Sequence, residues 1–243
     1  MIPPDTHLQI GSLLFEGLDQ IDLTGPFEVL SRVPNATYRL YAPGPGPVRD
    51  VRGLRIMPDA TLAEAPRLDV LHVPGGQGQE ALMHDAALRG WLRNQAAGAS
   101  HVLSVCTGAL LLGAAGLLVG RRATTFWNAF HLLPWFGAEA VDARVVVDRD
   151  AEGRSWIFAA GVTAGIDGAL RLAALLRGDE AAQAIQLGMQ YAPEPPFDSG
   201  TPGSAPPAIV ARARAAAADM TARREATARA IARELGIPSY EPA

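Results

Sequence analysis

Two side chains in this sequence have the chemistry of a catalytic pair. Cys106 is the only cysteine among 243 residues, and it stands in Ser104-Val105-Cys106-Thr107-Gly108. Before it, Val102, Leu103 and Val105 form a short apolar run rich in β-branched residues, which predicts a buried strand. After it, Ala109, Leu110, Leu111, Leu112 and Ala114 are strong helix formers. Small residues on both sides allow a sharp strand-to-helix turn, the layout of a nucleophile elbow. At such a turn the thiol faces the positive end of the helix dipole and unpaired backbone N–H groups, so thiolate is expected over thiol. A free cysteine elsewhere is more often a small buried hydrophobe. The elbow tips the reading toward a nucleophile.

The second group is Asp22, in Asp19-Gln20-Ile21-Asp22-Leu23-Thr24-Gly25-Pro26. Thr24 and Pro26 read as helix-start residues, which puts Asp22 on the connection leaving the first strand. An aspartate there can be a simple helix cap. Its expected position beyond the carboxyl end of a central strand, on the side of the sheet that holds Cys106, favours chemistry instead. Beside a thiolate and partly desolvated, its carboxyl would hold a proton longer than in water and act as acid and base. Pro74-Gly75-Gly76 follows another apolar run, and glycines there let the backbone approach a ligand. Trp127 and Thr125 are candidates for the pocket wall, with core packing as the competing role.

These groups need a frame, and the hydrophobic pattern supplies one. Leu8 to Phe15, Thr37 to Ala42, Leu68 to Val73 and the cysteine run read as strands, and Val48 to Pro58 as a hairpin beside the sheet. Ala143 to Asp148 and Ser155 to Ala160 read as a second hairpin. Helices are expected over Glu80 to Ala97, with a restart at Asp85, and from Gly161 to about Arg177, followed by another from Asp179. Strands alternating with helices predict an α/β three-layer sandwich: a mostly parallel, flavodoxin-like sheet covered on both faces, with Cys106 on its elbow. Residues 1–200 are read as one α/β domain. Residues 201–243 are read as an extended, proline-rich segment and an alanine- and arginine-rich helix (Ala208 to Leu235) that packs on the same domain or on a partner subunit.

Composition narrows the function. A hydrophobic content of 49% against 19% charged residues fits a folded chain, and a net charge of -4 gives no basic surface for nucleic acid. One cysteine excludes an intrachain disulfide. The amino-terminal stretch lacks the pattern of a signal peptide and no apolar run is long enough to span a bilayer, so a cytoplasmic protein that binds neither nucleic acid nor membrane is expected. His7, His72, His84, His101 and His131 have no spacing that ties them to Cys106 and are read as structural or surface residues. No His, Cys or Asp cluster has metal-ligand spacing.

The acidic residue after the first strand, Pro74-Gly75-Gly76 and the Cys106 elbow together resemble the ThiJ/PfpI superfamily, with its glutamine-amidotransferase-like sandwich. More narrowly, Leu13-Leu14-Phe15, Ile21 to Pro26, the elbow, Val162 to Asp167, and Tyr191-Ala192-Pro193 with Pro195-Pro196-Phe197 resemble the isonitrile hydratases. The superfamily commonly carries glutamate where this chain has Asp22; isonitrile hydratases carry aspartate. Phe126 replaces the histidine of a Thr-Thr-His segment found in many relatives, which argues against a Cys-His dyad. The resemblance implies hydration of an isonitrile, R–N≡C, to an N-formamide through a thioimidate on Cys106, with Asp22 as acid and base and no cofactor or metal. In that scheme the N–H groups of Gly76 and Thr107 form the oxyanion hole and the Thr107 hydroxyl positions water. Gly75, Trp127 and Val162 line the pocket, and the protein is a homodimer. A glyoxalase-like or deglycase thiol enzyme and a non-catalytic ligand-sensing domain stay open beside it.

Overall fold

Alternating strands and helices build a seven-stranded sheet among the residues that the computed structural model describes, 2–238. Its strands are β1 (Leu8–Leu13), β2 (Ala36–Ala42), β3 (Ala60–Thr61), β4 (Val70–Val73), β5 (His101–Val105), β6 (Val145–Arg149) and β7 (Ser155–Ala159). Their order across the sheet is β6-β7-β5-β4-β1-β2-β3. All neighbours pair in parallel except β6, which runs antiparallel to β7. Every residue of β4, β5 and β7 is buried, which is why these strands read as continuous apolar runs rather than as alternating ones.

The helices are α1 (Gln20–Leu30), α2 (Gln79–Leu82), α3 (Ala86–Gly98), α4 (Gly108–Ala114), α5 (Ala164–Arg177), α6 (Asp179–Gly188), α7 (Pro207–Ala216) and α8 (Ala218–Glu234). They divide by sheet face. Leu103 and Val105 of β5 point into a core made with α1, α5 and α6. Val102, one residue away on the pleat, points into the opposite core with α3, α4, α8 and the 3-10 segment Trp127–Phe136. The sandwich is therefore closed on both faces. No helix among the described residues is long and apolar enough to cross a membrane.

Two local expectations need correction. α1 begins at Gln20, capped by the Asp19 side chain on the Ile21 N–H (3.1 Å), so Thr24 and Pro26 lie inside the helix and not at its start. Asp22 accordingly sits in the first turn of a helix and not on a loop. The cause is a stronger cap upstream: an aspartate at the N-cap position outranks a threonine. The terminal helix is broken at Ala217 (φ -101°, ψ 2°), giving α7 and α8. Nothing in the local Ala-Ala-Ala-Ala sequence demands a break, so tertiary packing decides it. The apolar side of α8 packs within the chain, where Ala228, Ile231 and Ala232 are buried. Residues 239–243 of the expected carboxyl-terminal segment lie outside the described residues.

Candidate active site

The connections that leave the carboxyl ends of β1, β4, β5 and β7 converge on Cys106, as the topology of a parallel sheet requires. Cys106 has φ +54°, in the left-handed region that a non-glycine residue seldom enters. Two bonds hold it there. Its N–H donates to the Ala159 carbonyl (2.9 Å), and its carbonyl accepts from the Thr125 hydroxyl (2.6 Å). Thr125 is thus a brace for the elbow. Close approach is also built in from the β4 side: a Cβ on Gly75 would stand 2.5 Å from the Thr107 nitrogen, so only glycine fits between these two turns.

Asp22 is fully buried. Its Oδ2 accepts the Gly75 N–H (3.1 Å), Oδ1 has no hydrogen-bond partner, and the carboxyl neighbours the Cys106 thiol. Burial, reinforced by the Asp19 carboxylate, raises Asp22 from 3.8 to about 7, against the opposing pull of the Cys106 thiol and the Gly75 N–H. Burial likewise pushes Cys106 well above its ordinary 9.0, and the adjacent Asp22 charge adds to this, while the Thr107 N–H and Arg224 act in the other direction. The dipole-stabilised thiolate expected from the elbow alone is therefore overturned by desolvation. A thiol and a carboxyl that are neighbours out of water titrate as a pair. At neutral pH that pair holds at least one proton between its two members.

Thr107 and Gly76 are brought together, in a manner that differs from the expectation. The Gly76 N–H donates to Thr107 Oγ1 (3.1 Å), and that hydroxyl donates to the Gly76 carbonyl (3.3 Å). At rest the Gly76 N–H is therefore not free as an oxyanion donor, nor is the Thr107 hydroxyl free to hold water. The Thr107 N–H is turned toward the Cys106 sulfur. Together these contacts fix the turn whose Gly75 N–H holds Asp22.

A cavity of about 520 Å³ opens over Cys106, walled by Val51, Phe126, Val162, Ala213, Met220 and Arg224 among others. Val162 is in this wall. Trp127 is not: it stacks on Phe126 and lines a neighbouring space of about 580 Å³, which shares only Phe126 and Val162 with the Cys106 cavity. Gly75 acts through Asp22 and not as lining. Phe126, where a histidine was considered, is a wall residue. His72 is buried against Ser12 Oγ (3.0 Å) and Tyr38 Oη (2.7 Å), and burial lowers it to about 3, so it stays neutral. It faces the Asp22 backbone carbonyl, which lacks a helical donor because residue 26 is proline. His131 is exposed on the 3-10 segment, away from the sulfur. Among the described residues no group of three potential ligands could hold a metal ion.

The part of the site that sequence reasoning missed is its roof. α7 and α8 cross the cavity, and Arg224, 7% exposed, donates to Gln79 Oε1 (3.0 Å) and to the Gly76 carbonyl (3.2 Å). The arginine cluster of the terminal segment was the available signal, but most of its members are solvent-facing, and their spacing does not mark the one that turns inward.

The chain is similar to known proteins along most of its length. The model of the DJ-1/PfpI family matches residues 9–174. The isonitrile hydratase of Pseudomonas putida is 48% identical over 227 residues, covering 93% of this chain and 97% of that protein. The crystal structure of a ThiJ/PfpI family protein from Pseudomonas syringae superposes with a TM-score of 0.87 at 38% identity, covering 93% of both chains. Drosophila melanogaster DJ-1beta, at 24% identity and a TM-score of 0.66 over 77% of this chain and all of that one, shares the fold.

The raised Asp22 carboxyl predicts a specific pH dependence of stability. Below pH 3.8 the group is protonated in both folded and unfolded chains and carries no penalty. As pH rises from there to about 7, the unfolded chain releases the proton while the folded protein keeps it, which favours unfolding. Relative to Asp22→Asn, the wild type should lose up to about 4 kcal/mol across this window and no more above it. Urea unfolding of both proteins at stepped pH measures the difference; a difference independent of pH contradicts the assignment.

Proposed function

The chain belongs to the DJ-1/PfpI family, and we propose that it is an isonitrile hydratase, adding water to R–N≡C to give an N-formamide. The observation that carries this reading is the sealed Asp22 carboxyl facing Cys106 on a strained elbow. The 48% identity to the Pseudomonas putida isonitrile hydratase supports it.

Attack and protonation fall to the two members of the pair. Cys106 sulfur bonds to the terminal isonitrile carbon, and the carbon lone pair takes the proton shared with Asp22, leaving the thioimidate R–N=CH–S on the enzyme. Asp22, now a carboxylate, takes a proton from water as the water oxygen adds to that carbon, and passes it to nitrogen. Collapse breaks the C–S bond as the hydroxyl proton returns to the Asp22–Cys106 pair, and releases R–NH–CHO. Every atom comes from substrate, water and the two side chains, so the step needs no cofactor. Because the Gly76 and Thr107 N–H groups are engaged at rest, charge on the adduct is met by proton transfer, with Thr107 keeping the glycine turn in place. The neutral substrate enters between Phe126, Val162 and Met220.

The alternative of a reactive-carbonyl enzyme on the same fold makes a different demand on Asp22. An isonitrile carbon needs its proton delivered by a group beside the sulfur. A buried carboxyl raised to about 7 can both give and take one near neutrality.

We further infer that α7 and α8 belong to the same functional unit as the sheet, since they wall its cavity. We also infer a homodimer that covers Leu187 (81% exposed) and Phe197 (78% exposed). Sedimentation at micromolar concentration is expected to give twice the chain mass; a monomer throughout would remove the dimer.

Incubation of the purified protein with a simple alkyl or aryl isonitrile is expected to yield the N-formamide. Cys106→Ala should abolish it while the fold persists. Asp22→Asn should lower the rate by on the order of 100-fold or more, the scale of a lost general acid and base. Near wild-type formamide production by either variant would overturn the mechanism.

A further inference from the structure

Arg224 is a buried cation without a carboxylate. It projects from α8 with 7% exposure, and both of its hydrogen bonds go to neutral acceptors, Gln79 Oε1 and the Gly76 carbonyl. Among the described residues it makes no ion pair. Guanidinium does not give up its proton, and a buried charge without a counter-charge is unfavourable. Its charge therefore favours any anion that forms in the cavity it lines. The Cys106 sulfur, across the same cavity wall, is its strongest favourable charge partner and Glu80 the next. Glu80 accepts the Thr227 hydroxyl (2.8 Å) and makes no ion pair with Arg224.

We propose that Arg224 is a positioning residue for the nucleophile: it is the counter-ion that the Cys106 sulfur meets when its thiol ionises, and through Gly76 it holds the turn whose Gly75 N–H reaches Asp22, so that the carboxyl-terminal helix completes the site. This deepens the reading of Cys106 as the reacting group. The groups that face the sulfur can all be named. Asp22 from α1, with Asp19 behind it, opposes a second negative charge; the Thr107 N–H at the start of α4 favours one; Arg224 from α8 favours one, with Glu80 of α2 and Arg223 beside it. Arg52, in the same cavity wall, is exposed and solvated. Of these, Arg224 is the sole buried full positive charge among the described residues lining the cavity. Removing it leaves the thiolate with the Asp22 repulsion and one backbone dipole.

The test is the pH dependence of Cys106 alkylation by iodoacetamide in the full-length protein, which reads the thiolate without any isonitrile and so separates this proposal from the reaction assigned above. Arg224→Gln keeps polar contacts and removes the charge. It is expected to slow alkylation at neutral pH about tenfold and to move the midpoint up by about one pH unit. Arg224→Lys keeps the charge and loses the planar fork, and its midpoint is expected to stay with the wild type. A merely structural arginine would lower the melting temperature of both variants and leave both midpoints in place. A wild-type midpoint in folded Arg224→Gln overturns the proposal. Should that variant not fold, Arg224→Met, which keeps the apolar stem without the charge, is measured in its place: a midpoint raised by about one pH unit supports the proposal, and a wild-type midpoint overturns it.

Discussion

Two acidic groups buried side by side impose the constraint on which this site depends. Water would let Asp22 and Cys106 ionise independently, but in a medium of low polarizability two adjacent negative charges repel strongly. The pair therefore keeps a proton near neutral pH, and that proton is what the isonitrile carbon requires. The rest of the local structure serves this arrangement. A parallel sheet brings the ends of β1, β4 and β5 to one edge. Gly75 lets the turn after β4 come close enough for its N–H to reach Asp22. Thr125 and Ala159 hold Cys106 at a positive φ that places the sulfur above the edge.

Isolating such a pair from water is harder than forming it, because the carboxyl edge of an open sheet faces solvent. Here the segment from Pro207 to Glu234 meets the problem, folding α7 and α8 over the cavity and anchoring α8 through Ala228, Ile231 and Ala232. The same packing brings the Arg224 guanidinium into the cavity wall, where it opposes the desolvation that pushes the Cys106 thiol up. Burial and compensation thus arrive on one element. This is also why the helix dipole behind Cys106 is a minor influence: α4 has seven residues, and the dipole of one short helix is outweighed by complete desolvation of the sulfur.

Much of this was legible in the sequence, and the reasons differ by residue. Cys106 could be found because a nucleophile elbow needs small neighbours and a change of period at one point. The sheet could be found because strands buried on both faces are continuous apolar runs. Asp22 was placed correctly at the edge, yet its setting was misjudged, since Asp19 starts α1 a turn earlier than Thr24 and Pro26 suggest. The charge state of the sulfur was misjudged for a different reason: burial is a property of the whole fold and leaves no local mark. The same holds for Gly76 and Thr107, whose mutual hydrogen bonds depend on two turns 31 residues apart. Arg224 lies 148 residues from Gly76, and no periodicity distinguishes it from the solvated arginines around it.

The central claim is that the isonitrile carbon becomes bonded to the Cys106 sulfur while the proton comes from its neighbour. Rapid quenching of the protein in acid during turnover of an isonitrile, followed by mass spectrometry of its peptides, observes that bond directly. The account predicts a mass increase equal to one isonitrile on the peptide that contains Cys106, rising before formamide and decaying as substrate is consumed. An increase found on any other side chain, with the Cys106 peptide unmodified throughout turnover, would contradict it.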